Sequence, residues 1–180
     1  MKPFRAEPTK IDGLWRTELK QVADARGVMR EAYRESEFVA TGLPSLGARP
    51  QTNCTETRRG GLRGIHGELA HKLVGVVAGE VYAVVVDLRP ASPTAGEWLD
   101  FPLGPGDGLF VSRGLGNSFQ SVSEAPSQYV YVFEEEWRPD MPGVHVTPLD
   151  PALGIAWPLE PVISEKDADP SKTLVAALSR

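Results

Sequence analysis

The segment Val81 to Leu88 reads Val-Tyr-Ala-Val-Val-Val-Asp-Leu, β-branched at half its positions and apolar nearly throughout. Side chains branched at Cβ suit a pleated surface and crowd a helix. A short, continuous apolar run closed by turn residues predicts a strand covered on both faces. Ala78-Gly79-Glu80 closes this run on one side, and the stretch Pro90 to Pro93 breaks it on the other. The same punctuation recurs along the chain, whose 180 residues include 18 glycines and 16 prolines, well spread. Spread in this way they cut the chain into short segments. Strands are expected over Gly13 to Lys20, Gln51 to Thr57, Leu62 to Glu68, Lys72 to Val77 and Val81 to Leu88. Further strands are expected over Glu97 to Phe101, Leu109 to Ser112, Phe119 to Ser123 and Tyr129 to Glu136. A turn at Asp24-Ala25-Arg26-Gly27 leads into a segment that runs through Phe38, and Thr41 to Pro50 reads as a loop. The C-terminal stretch is loop-rich, with a short helix expected over Ser171 to Leu178. Short strands at regular spacing, with almost no helical periodicity, predict an all-β sandwich or jelly-roll barrel. At this length the chain is expected to form one domain over residues 1–180. The interior of such a barrel holds a small ligand.

Charge and composition exclude several classes. Hydrophobic residues are 41% and charged residues 24%, an ordinary globular balance. The formal charge is −5, so the chain lacks the basic stripe that a nucleic-acid binder needs. A nucleotide ligand stays open, because one diphosphate needs only one or two local cations. The single cysteine, Cys54, rules out an intrachain disulfide and fits a reducing cytoplasm. No motif places a histidine beside Cys54, which reads as a strand residue rather than a nucleophile. The opening Met-Lys-Pro-Phe-Arg-Ala-Glu-Pro-Thr-Lys has no apolar leader core, and no apolar run approaches a membrane span.

The densest polar cluster is Leu62-Arg63-Gly64-Ile65-His66, followed by Lys72. Strict alternation would put Arg63 and His66 on opposite faces. Gly64 permits a bulge that would bring them together. Arg, His and Lys on adjacent strands suit an anionic or enolising substrate; a surface pair beside a core histidine is the plainer alternative. The three histidines, His66, His71 and His145, form no His-x-His pair, so neither a metal nor another cofactor is expected.

Several motifs stand in order along the chain. They are Asp24-x-Arg26-Gly27 with Glu31, Gln51-x-Asn53, Leu62-Arg63-Gly64-x-His66, Lys72-Leu73-Val74 and Gly79-Glu80-Val81. Val86-Asp87-Leu88-Arg89 follows, then Ser92-Pro93-Thr94-x-Gly96-x-Trp98, Asp150-Pro151, Ile155-x-Trp157-Pro158 and Ser164-x-Lys166-Asp167. Together they resemble the dTDP-4-dehydrorhamnose 3,5-epimerase family, the RmlC-like cupins. The resemblance implies a cupin-type jelly roll, a homodimer with its N-terminal strands in contact, and a dTDP-linked 4-keto-6-deoxy sugar as substrate. It implies His66 as the base, Asp167 as its orienting carboxylate and Lys72 as the stabiliser of the enolate oxygen. Arg63 would hold the anionic part of the substrate. Arg26 and Glu31 would reach the nucleotide across a subunit boundary, and Gln51 and Asn53 would line the pocket. The chemistry has a physical basis: a ketone at C4 acidifies the C–H bonds at C3 and C5, and imidazole titrates near working pH.

Three positions depart from the family pattern. Trp137 stands where the family has the tyrosine that acts as general acid, and an indole N–H cannot supply a proton near neutrality. Asn117 replaces a histidine, and Glu68 replaces a glutamine two places after the base. An epimerase of altered scope, a lyase or isomerase that needs only enolisation, and a non-catalytic sugar-nucleotide binder all remain open. Retention of His66, Lys72 and Asp167 favours the first.

Overall fold

The structure is a computed structural model that describes all 180 residues, Met1–Arg180. In chain order the elements are β1 (Arg5–Pro8), β2 (Leu14–Glu18), β3 (Lys20–Asp24), β4 (Gly27–Glu31), α1 (Glu35–Ala40), β5 (Gln51–Thr57), β6 (Leu62–Glu68) and β7 (Lys72–Ala78). There follow β8 (Val81–Asp87), β9 (Trp98–Leu103), β10 (Asp107–Val111), β11 (Leu115–Ser121), β12 (Ser127–Phe133), β13 (Gly143–His145) and α2 (Leu174–Leu178). A six-stranded sheet has the order β1-β2-β10-β7-β12-β5, and a five-stranded sheet the order β13-β6-β11-β8-β9. Every pairing within these sheets is antiparallel, and β3 and β4 form a separate hairpin. The two sheets share one core, which gives the expected all-β jelly roll.

The apolar character of Val81 to Asp87 follows from what covers it. Val81, Ala83 and Val85 enter the core between the sheets, with Leu14, Val74, Leu109 and Tyr129 from the opposite sheet. Val84 and Val86 belong to a second cluster, with Ile65, Val146, Leu153 and Leu174. The C-terminal segment and α2 therefore cover the outer face of the five-stranded sheet. Thr173 caps α2 by accepting a hydrogen bond from Ala176 N at 3.1 Å. The other sheet is covered in the same way: Phe38, Leu43 and Leu46 pack on Leu73, Phe110 and Val132.

Strand bounds agree with expectation at β5 and β6, and within a few residues elsewhere. The expected strand from Phe119 begins earlier, at Leu115, because small and polar residues mask its first half. The segment expected to run through Phe38 divides into β4 and the helix α1, which is too short to show a helical period. Phe38 fixes α1 by burial, with only 1% of its surface accessible. The short strands β1 and β13 carry no sequence signal of their own.

Candidate active site

The space between the sheets is shared between the apolar core and a cavity of about 440 Å³. One wall comes from β5, β7 and β12, the other from β6, β11 and β13. The segments around Trp137 and Asp167 complete the rim.

The bulge expected at Gly64 is present. Asn117 faces His66 and Phe119 faces Arg63, so β6 spends one more residue than β11 between those pairs. Gly64 has φ +102°, and a Cβ there would lie 2.5 Å from the Asn117 carbonyl oxygen. The position therefore requires glycine. The extra residue cancels the alternation, and Arg63 and His66 both line the cavity.

His66 Nε2 lies 2.8 Å from Asp167 Oδ1. Asp167 Oδ2 also accepts from Gly64 N at 3.5 Å. Burial opposes the charge on Asp167, but the hydrogen bond and charge of His66, with Gly64 N–H and Ser164, outweigh it. Its pKa falls below the usual carboxylate value, so Asp167 is an anion at neutral pH and can stabilise an imidazolium. With Nε2 taken, Nδ1 is the nitrogen of His66 available to a substrate.

Lys72 is buried at the cavity wall, donates to the His66 carbonyl at 3.1 Å and forms an ion pair with Glu68. Burial raises the pKa of Glu68, and the charge and hydrogen bond of Lys72 outweigh that and hold it below its ordinary value. The carboxylate at this position thus compensates the lysine charge inside the site. Arg63 Nε donates to Thr57 Oγ1 at 2.9 Å, which aims the guanidinium along the same wall. Gln51 and Asn53 are linked by a 3.1 Å hydrogen bond. Gln51 Oε1 also accepts from Trp137 N at 2.8 Å and so fixes the backbone that carries the indole.

Glu68, Asn117 and Trp137, the three positions read from the sequence as departures from the family pattern, line this one cavity. Tyr131 is a wall residue, and Tyr129 is a core residue whose buried hydroxyl lies beside Asn117 but outside hydrogen-bond geometry. Burial pushes the Tyr129 phenol far above its ordinary pKa, which makes it a poor proton donor. Arg26 and Glu31 do not reach the cavity within one chain. Arg26 sits at the tip of the β3–β4 hairpin, 90% exposed and paired with Asp24, and Glu31 pairs with Arg34. Trp98 and Trp157 are structural: their indoles donate to the Leu153 and Pro148 carbonyls at 2.8 and 2.9 Å. His71 stacks on Phe110 away from the site, and Cys54 is exposed on the edge strand β5. His145 and Lys166, which no motif marks as site residues, also line the cavity. Lys166 adjoins Asp167 in the sequence; the position of His145 follows only from the pairing of β13 with β6.

A jelly roll whose internal cavity sets an imidazole–carboxylate pair beside Arg and Lys belongs to the class of cupins that move protons on small anionic substrates. The sequence model described as dTDP-4-dehydrorhamnose 3,5-epimerase matches residues 8–173, and the chain belongs to that family. It is 39% identical over 171 residues to the dTDP-4-dehydrorhamnose 3,5-epimerase of Streptomyces griseus, covering 89% of this chain and 82% of that protein. It is 35% identical over 181 residues to the dTDP-4-dehydro-6-deoxyglucose 3-epimerase of Streptomyces bikiniensis, covering 94% of this chain and 89% of that one. Among solved structures, NovW from Streptomyces spheroides is described as a 4-keto-6-deoxy sugar epimerase. It superposes with a TM-score of 0.87 at 34% identity, over 99% of this chain and 94% of its own. ChmJ from Streptomyces bikiniensis, described as a 3'-monoepimerase in complex with dTDP-quinovose, superposes with a TM-score of 0.86 at 34% identity, over 95% and 88%.

Proposed function

We propose that this protein is an epimerase of a dTDP-linked 4-keto-6-deoxyhexose that acts by enolisation at C3, C5 or both. The observation that carries the reading is the 2.8 Å contact between His66 and Asp167 inside a cavity that also holds Arg63 and Lys72. Neutral His66 removes the proton from the carbon next to the C4 ketone. The C–H electron pair moves into the ring as an enolate, and the charge develops on the C4 oxygen. Asp167 stabilises the imidazolium, and Lys72 stabilises the oxyanion. A proton returned to the same carbon completes the turnover: from the opposite face it inverts the centre, and from His66 it restores the substrate. Arg63 would hold the diphosphate, with the bidentate geometry of a guanidinium. Gln51, Asn53, Glu68, Asn117 and Trp137 would contact the rest of the substrate.

Arg26 and Glu31 serve the same site in this reading, from the partner's hairpin in a homodimer. The exposed apolar residues Val22, Val28 and Met29 on that hairpin support such a contact. No helix is long and apolar enough to cross a membrane, and a nucleotide-sugar substrate supports a cytoplasmic setting.

Incubation with dTDP-4-keto-6-deoxyglucose in heavy water tests the reading. Deuterium is expected at C3 or C5 in the wild type and not in His66→Ala. Binding without exchange would favour a non-catalytic role, and an unsaturated product would favour a lyase.

A further inference from the structure

His145 is the cavity residue that the reaction above leaves unused. It lies on β13, three residues long and joined to the five-stranded sheet through β6 alone. The register sets His145 directly opposite His66. Val146 and Ile65 exchange backbone hydrogen bonds of 3.0 and 3.1 Å just beyond that pair. Glycines at 67 and 143 allow the close approach: a Cβ on Gly67 would lie 3.2 Å from the Val144 oxygen, and one on Gly143 would lie 3.1 Å from the Gly67 oxygen. The two imidazoles meet edge to face with centroids 4.8 Å apart, and both line the cavity.

The two nitrogens of His145 differ. Nδ1 is fully buried and has no hydrogen-bond partner, while the ring remains partly accessible on the cavity side. A buried N–H without an acceptor is rarer than a buried acceptor without a donor, so the proton belongs on Nε2. The charged groups around the ring are His66 and Glu68 from β6 and Lys166 and Lys172 from the C-terminal segment. Burial lowers the pKa of His145, a proton on His66 when that ring carries one and the charge of Lys166 lower it further, and Glu68 opposes them. The ring is therefore a neutral imidazole at working pH.

We propose that His145 is a further catalytic residue whose Nε2–H donates a hydrogen bond to the enolate oxygen formed when His66 removes the proton. This role rests on the epimerase reading. It answers a local need: Lys72 is compensated by Glu68, so the site has less positive charge to offer an oxyanion than the lysine alone suggests. A neutral donor fixed by strand pairing strengthens its bond as charge builds on the oxygen and releases it when the ketone reforms. No proton changes hands at His145; the proton removed from carbon goes to His66 and returns from there or from solvent.

The test combines two variants with one spectroscopic measurement. His145→Phe keeps a ring and loses the donor; His145→Gln keeps an amide N–H near the same place. Exchange of deuterium into dTDP-4-keto-6-deoxyglucose should fall by about 10²–10³-fold in kcat for His145→Phe. KM should change by less than about threefold, and His145→Gln should keep roughly a tenth or more of the wild-type rate. Nitrogen-15 NMR of the ligand-free wild type should show the Nε2–H tautomer of His145 at neutral pH, a measurement that needs no variant to fold. A kcat in His145→Phe within about threefold of wild type would overturn the role. An imidazolium or an Nδ1–H tautomer would overturn it equally. If the wild type itself shows no exchange, the epimerase reading fails and this role fails with it; exchange that survives the loss of the donor rejects the role alone.

Discussion

Trp137 and Glu68 decide how far the proposed chemistry runs. Trp137 is half exposed at the cavity rim, and its backbone is held by Gln51 rather than by its ring. A substitution there should leave the wall in place. With an indole in this position the enolate is expected to regain its proton mainly from His66 on the original face, so that exchange outruns inversion. Trp137→Tyr supplies a hydroxyl and should raise the ratio of inverted product to exchanged substrate by about 10²-fold or more. A wild type that inverts as fast as it exchanges already has another donor, and that result sinks the reading of Trp137. Glu68 offers the opposite trade. Glu68→Gln removes the carboxylate that compensates Lys72, so exchange should quicken by about tenfold. The same change leaves Lys72 without its charged partner and should lower unfolding stability by about 1–3 kcal/mol in urea titration. A variant that loses stability without gaining rate would show that Lys72 does not serve the enolate.

At the scale of elements, the end of β8 is held by one buried carboxylate. Asp87 accepts from Arg89 Nε at 2.8 Å, Ser92 Oγ at 2.5 Å and Thr94 Oγ1 at 2.6 Å, and its side chain is wholly inaccessible. Burial opposes ionisation, and these hydrogen bonds overcome it, led by Arg89, bringing the pKa down to about 2. Because the folded pKa is depressed, the stabilisation is complete above the ordinary aspartate value. It is lost as pH falls through about 2. Urea melts of the wild type should lose on the order of 2 kcal/mol between about pH 5 and pH 2 that Asp87→Asn does not lose. Equal acid sensitivity in both proteins would place the labile carboxylate elsewhere. The motif Val86-Asp87-Leu88-Arg89 thus supports the turn into β9 and lies outside the cavity.

For the whole molecule, the β3–β4 hairpin carries the prediction of a composite site. It pairs with neither main sheet, and its tip carries an exposed Arg26. If Arg26 serves the partner's cavity, Arg26→Ala and His66→Ala damage different halves of one composite site. Mixed dimers then contain one intact site. Random re-assortment of two inactive variants should restore about a quarter of the wild-type exchange per site. No recovery after mixing, or a single-chain mass in sedimentation at micromolar concentration, would reject the composite site.

The sequence alone was enough for the strand-rich architecture, because turn residues and β-branched runs act locally. It was also enough to name many of the polar residues that gather in the cavity. Gln51, Asn53, Arg63, His66, Lys72 and Asp167 stand in ordered motifs, and Glu68, Asn117 and Trp137, which line the cavity with them, stand within or beside those motifs. Even the bulge that joins Arg63 to His66 was announced by Gly64. What the tertiary structure decided depends on partners distant along the chain. The contact between His66 and Asp167 joins residues 101 positions apart, and only the folded C-terminal segment brings them together. The helix α1 follows from the burial of Phe38 against another sheet, a cause with no local periodicity. His145 is a lone histidine in a loop-rich stretch until a three-residue strand pairs with β6 and sets its ring against His66. Local chemistry is written residue by residue; the meeting of two imidazoles is a property of the register between strands.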